Sequence, residues 1–247
     1  MSLEIGLNTW RSKFSKVRRE VILRHYLVPD SRHGLPAALV KHWKPRVPLT
    51  LVDVGASFGS FTASVAKHHD IGRALLVEPL AERCNQLRGA YTKPVYSVCQ
   101  QALADFEGEA DFNVWDFDYA SSLHDLPADR ADLFVGIELG QQRKRPVKVG
   151  TLDSLLAQEE ISGDIELLKM DVQGGELNVL KGAQRSLPRI RNIWCEVAFH
   201  ELYESAATFQ KVFDYLVARG FLLKAIGETS NGANGGVLQA DVLFSRP

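Results

Sequence analysis

Apolar residues fall into short runs separated by amphipathic stretches along most of this chain. From Leu49 the runs LTLVDV, RALLVEP, PVYSVCQQAL, IELLKMDV and IRNIWCEVAF read as buried strands. Between them SFTASVAKHH, LAERCNQLRGAY, TLDSLLAQEE, GELNVLKGAQRSL and AATFQKVFDYLVARG have the spacing of helices. Strand and helix in alternation predict an α/β fold, a doubly wound parallel sheet with right-handed crossovers. The rhythm breaks after the third strand: EADFNVWDF alternates as an antiparallel strand does, SSLHDLPADRADL is rich in turn residues, and RPVKVG is a short strand. A β-rich insertion at about 106–150 follows from that. GFLLKAIGE and GVLQADVLFSR form a final pair of strands joined by the hairpin-like TSNGANGG.

Residues 1–48 differ in character and read as an N-terminal helical extension to a domain spanning 49–247. SKVRREVILRHYL has apolar positions at helical spacing, and the proline-punctuated stretch after it holds one more helix and the basic residues Lys41, His42, Lys44 and Arg46, read as an exposed linker.

Composition narrows the function classes. The net charge of −1 gives no electrostatic footprint for a polyanion and argues against nucleic acid, which makes a small neutral molecule the expected partner. The three cysteines, Cys84, Cys99 and Cys195, are far apart and suggest neither disulfides nor zinc. With no apolar run of transmembrane length and no signal-like start, the expectation is a cytoplasmic protein; oligomeric state is not legible.

Chemistry concentrates at strand ends. In LVDVGASFGSFT a strand, a glycine-rich turn and a helix start form a ligand cradle of Asp53, Gly55, Ala56, Ser57 and Gly59. Ser57 stands where a dinucleotide fold has its second glycine, which argues against an NAD-dependent oxidoreductase. Asp53 would repel a diphosphate and suits a ligand with cationic groups, or else serves the loop's backbone donors. Glu78 closes the second strand where a carboxylate can accept both ribose hydroxyls; Gln101 and Ala102 end the third, where adenine would lie. Asp171 ends the fourth strand and is either a group for chemistry or a helix cap; Lys169, two residues back, is expected to pair with it. Glu176 opens the next helix and complements its dipole. Glu196 and His200 close the fifth strand, where a histidine can act as a general base.

VDVGASFGSFT, LLVEP, TLDSLL and above all IELLKMDVQGGELNVLKGA resemble the FkbM-type family of S-adenosylmethionine-dependent methyltransferases, over roughly residues 49–245. The resemblance implies a Rossmann-like class I methyltransferase sheet of seven strands, the last antiparallel, with helices on both faces. It also implies O-methylation of a hydroxyl on a sugar, polyketide or similar acceptor, with S-adenosylmethionine as donor. Two positions depart from the family pattern: Ser57 replaces an Asn, and Gln173 replaces the Glu of Asp-Val-Glu-Gly. His200, Asp171 and Glu196 are the candidate bases, no resident metal is expected, and a binding module without turnover is the remaining alternative.

Overall fold

The structure is a computed structural model that describes residues 35–116, 120–127, 130, 139–232 and 235–247. The SKVRREVILRHYL helix lies outside the described residues. The elements run α1 (Ala37–His42), β1 (Leu49–Val54), α2 (Ser60–His68), β2 (Ile71–Glu78), α3 (Ala81–Ala90) and β3 (Tyr96–Gln100). Then come β4 (Ala102–Leu103), β5 (Gly108–Trp115), β6 (Gln142–Gly150), α4 (Leu152–Gln158), β7 (Ile165–Met170) and α5 (Glu176–Lys181). The chain closes with β8 (Ile190–Ala198), α6 (Phe209–Val217), β9 (Leu222–Asn231) and β10 (Val237–Ser245).

Seven strands form one sheet in the order β3-β2-β1-β7-β8-β10-β9. The pairings from β3 through β8 are parallel, and β10 is antiparallel to both β8 and β9. This is the class I methyltransferase arrangement. The strand order reverses between β1 and β7, so the ends of these two strands flank the crevice in which open α/β sheets take their ligands.

Because side chains alternate along each strand, the sheet has two differently built faces. Val52, Val54, Leu168, Met170, Ile193, Cys195 and Val242 form one, covered by Leu155, Val179 and Leu216 from α4, α5 and α6. Leu51, Leu76, Leu167, Trp194 and Leu243 form the other, covered by Leu39, Val65 and Leu87 from α1, α2 and α3. Asp53, Lys169, Glu196 and Asp241 share this second face, since Asp53 pairs in register with Lys169, Lys169 with Trp194, and Glu196 with Asp241. The described part of the N-terminal stretch thus contributes to the core: Leu39 and Trp43 are buried, and the Trp43 ring meets His69 edge-on at 5.0 Å.

Two elements are shorter than their apolar patterns predict. The helix expected over GELNVLKGAQRSL stops at Lys181, and Gly182 at its end packs so close to Ala104 that a Cβ would stand 2.1 Å from its carbonyl oxygen. The Asp153 carboxylate then takes the N–H groups of Arg185 and Ser186, at 2.8 Å each, diverting them from any helical ladder. The third strand is also split. Its pairing with β2 ends at Glu78 opposite Gln100, after which Ala102 pairs with Val149 in a second sheet ordered β4-β6-β5. β5 and β6 pair as an antiparallel ladder in that second sheet. Among the described residues no helix is long and apolar enough to cross a membrane.

Trp43→Ala should lower the unfolding free energy by roughly 3–5 kcal/mol, the scale for deleting a buried aromatic. Denaturant unfolding measures this, and a loss below about 1 kcal/mol would show that α1 is no part of the core.

Candidate active site

The glycine turn after β1 is held by the protein on every side. Gly55 has φ 72°, and a Cβ there would lie 1.9 Å from the carbonyl oxygen of Asp171. Gly59 has φ 77° and faces Leu87 and Tyr91, whose hydroxyl donates to the Gly59 carbonyl. The close approaches that require these glycines are therefore to the chain itself. Beneath the turn Asp53 is fully buried: its Oδ2 accepts from Thr62 Oγ1 at 2.7 Å, and its Oδ1 stands 3.2 Å from Lys169 Nζ. The expectation that Asp53 faces a ligand is corrected by this burial, as is the expected pairing of Lys169 with Asp171. Lys169 shares a strand pairing with Asp53, and its ammonium also donates to Gly55 O at 2.8 Å. Burial alone would lower the Lys169 pKa, but the carboxylates of Asp53 and Asp171 outweigh it and hold the ammonium above its ordinary value.

Glu78 secures the other side of the turn. Its Oε2 accepts from Ser57 N and its Oε1 from Leu80 N, both at 3.0 Å. Burial raises its pKa against the pull of those two donors. Each oxygen keeps a second lone pair, so the carboxylate can still accept from a ligand.

Asp171 does not cap the helix after β7. The N-cap of α5 is Gly175, and the turn's N–H groups at Val172 and Gly174 are taken by Glu176 Oε1, at 3.0 and 3.4 Å. Glu176 thus does more than complement a dipole: it folds back into the turn, nearly inaccessible, where burial and then Asp171 push its pKa up to about 7. Asp171 instead accepts from Gln173 Nε2 at 2.8 Å, and the same nitrogen donates to Glu196 Oε2 at 2.8 Å. Gln239 Nε2 reaches that Glu196 oxygen as well, at 2.7 Å, and the Tyr203 hydroxyl donates to Gln173 Oε1 at 3.0 Å. Burial, with Asp171 and Asp241 nearby, pushes Glu196 well above the carboxylate range. Asp241 is pushed up to about 7 by burial and Asp171.

The strand-end carboxylates, the glycine turn and the sheet order together form one site at the crevice. The sequence profile described as the methyltransferase FkbM domain matches residues 53–223, which hold the glycine turn, Glu78, Asp171, Gln173 and Glu196. The chain belongs to the FkbM methyltransferase family.

Among relatives of this FkbM methyltransferase, the 2-O-methyltransferase NoeI of Sinorhizobium fredii (strain NBRC 101917 / NGR234) is 24% identical over 199 residues, covering 76% of this chain and 77% of that protein. Methyltransferase FkbM from Methylobacillus flagellatus KT superposes with a TM-score of 0.48 at 15% identity. The match covers 82% of this chain and 49% of that one, so this chain spans about half of its length. Precorrin-6y C5,15-methyltransferase from Geobacter metallireducens GS-15 gives a TM-score of 0.47 at 12% identity, over 88% and 96% of the two chains.

The fold brings Asp171 and Glu196 into one bonded group and sets Lys169 and Asp53 under the floor. His200 lies past the end of β8, exposed and with no hydrogen-bond partner among the described residues. Gln101 is buried against Gly150 of β6, since a Cβ on that glycine would stand 3.1 Å from the Gln101 amide nitrogen, and Ala102 belongs to β4. Both follow the end of the third strand, where the chain has already left the main sheet. Sequence reasoning missed Tyr203, Gln239 and Asp241, whose only sequence signal is a position near a strand end. It also missed how the insertion closes over β7 and β8. Ser122 Oγ donates to Gln173 O at 2.7 Å, and Ala120, Leu126 and Leu139 form an apolar cluster with Leu202, Tyr203 and Leu238. Among the described residues no group of three or more His, Cys, Asp or Glu side chains is arranged to hold a metal ion.

The raised Glu176 pKa has a sign in stability. A carboxyl that binds its proton more tightly when folded contributes fully below its ordinary value of 4.5, and that contribution is lost as pH rises through about 7. Glu176→Gln keeps an acceptor oxygen for the turn and removes the charge. The variant should match wild type near pH 4 and exceed its stability by up to roughly 3 kcal/mol above pH 8. Thermal unfolding across that range is the measurement, and a constant difference between the two proteins would reject the assignment.

Proposed function

We propose that this methyltransferase uses S-adenosylmethionine to methylate a hydroxyl of a sugar or related polyol. The observation that carries the donor reading is Glu78, a carboxylate at the end of β2 with one lone pair per oxygen spent on the turn and one left for a ribose hydroxyl. The charge balance agrees. Lys169 is tied to Asp53, so Glu78, Asp171, Glu196 and Asp241 give the strand ends an excess of carboxyl groups, suited to a donor bearing sulfonium and ammonium groups.

When bound, the donor supplies an electrophilic methyl group on a positively charged sulfur. The protein's own task is to align an acceptor oxygen with it and exclude water. Asp171 supplies an oxygen, Oδ2, with no hydrogen-bond partner among the described residues, while Gln173 holds the other. That free oxygen is placed to accept the hydroxyl's hydrogen bond and then its proton. A water-sized cavity is lined by Glu176, Glu196, Tyr203 and Gln239 together with Ala198, Leu202 and Ala206. The O-methylation named for NoeI supports the same direction of transfer. His200 is the second candidate base, free to reorient at the exposed end of β8.

Glu78→Gln should weaken S-adenosylmethionine binding by roughly tenfold or more through lost charge-assisted hydrogen bonds. Titration calorimetry reads this directly, and unchanged affinity would remove Glu78 from the donor site. Asp171→Asn should fold normally yet lower S-adenosylhomocysteine release by roughly 10²-fold on an acceptor drawn from a panel of glycosides. Full turnover in that variant, with loss in His200→Ala, would transfer the base role to His200. Donor binding with no release on any acceptor would instead indicate a binding module.

A further inference from the structure

Gln173 stands in a left-handed backbone conformation, φ 53°, in a turn whose carbonyl is fixed by Ser122. Its side chain spends every bonding group on the site. The amide nitrogen donates to Asp171 and Glu196, and the amide oxygen accepts from Tyr203. A carboxylate in its place could donate to neither acid and would bring a further acidic group between them. We propose that Gln173 is a positioning residue that clamps Asp171 and Glu196 side by side and fixes the negative charge that the site presents to the donor. This rests on the donor reading above.

The groups facing Gln173 come from every element around it: Asp171 from β7, Glu176 from α5, Glu196 from β8, Tyr203 from the segment after β8, and Asp241 from β10 behind Glu196. All are acidic or neutral, and the cation in this stripe, Lys169, is paired with Asp53. An amide supplies hydrogen-bond donors here without adding charge, whereas a carboxylate must take up a proton or repel its neighbours.

Gln173→Glu and Gln173→Asn separate charge from reach. Asn tolerates the left-handed backbone but is one methylene too short to span both acids. In the donor-free protein, the Glu variant should lose stability relative to wild type as pH rises from about 5 to about 8, because its folded-state pKa is raised. The Asn variant adds no ionisable group and should show a smaller change with pH than the Glu variant. Calorimetry with S-adenosylmethionine and S-adenosylhomocysteine adds a readout of charge, since only the first carries a sulfonium. Gln173→Glu should shift the ratio of the two affinities toward the cation by roughly tenfold at pH 8.5, while Gln173→Asn leaves the ratio near wild type. A Glu variant whose stability follows the wild-type pH profile, or whose affinity ratio is unchanged, would overturn the proposal. Wild-type protein that binds neither compound would overturn the donor reading, and the donor-free pH profile would then still decide the role of Gln173.

Discussion

The buried ion pair between Lys169 and Asp53 is the constraint on which the site is built. It joins the two strands at which the sheet order reverses, and it places the ammonium where it also reaches the carbonyl of Gly55. Removing two charges from water is costly, and such a pair persists only where geometry and further hydrogen bonds compensate. Here Thr62 donates to Asp53 Oδ2, and Lys169 donates to the backbone carbonyls of Val54 and Gly55. The result is a glycine turn fixed from below by Lys169 and from the side by Glu78, with a backbone approach to Asp171 that tolerates no side chain at Gly55.

That arrangement explains how one sheet serves both packing and chemistry. The face covered by α4, α5 and α6 is apolar throughout its centre and supplies burial. The opposite face is apolar where α1, α2 and α3 cover it and changes to charged and polar residues toward the strand ends. Two residues along β7 carry the chain from Leu167, in the core, to Lys169, and two more to Asp171 at the crevice. Two residues along β8 lead from Trp194 to Glu196. The polar stripe is the continuation of a core face past its cover, so its carboxyl groups are half-desolvated and their pKa values rise.

Amide groups make this acidic stripe tenable. Gln173 and Gln239 both donate to Glu196, and the insertion and the segment after β8 bring Ser122 and Tyr203 to the same turn. A buried polar network is stable when each member is satisfied, and this one draws its members from five separate parts of the chain. The segment after β5 thereby packs against the turn that carries Gln173 and against Leu202 and Tyr203.

The sequence by itself determined the alternation of strands and helices, the glycine turn, the strand-end positions of Glu78, Asp171 and Glu196, and the family resemblance. These are legible because periodicity and turn chemistry are local: each rests on residues within a few positions of one another. Tertiary structure alone decided that Lys169 neutralises Asp53 instead of Asp171, that Asp171 is no cap, that Leu39 and Trp43 belong to the core, and that Gln173 joins two acids. Each of those outcomes depends on strand order and cross-strand register, which put side chains from distant segments on one face. Local patterns do not carry that information, because a strand reads the same whichever neighbour it pairs with.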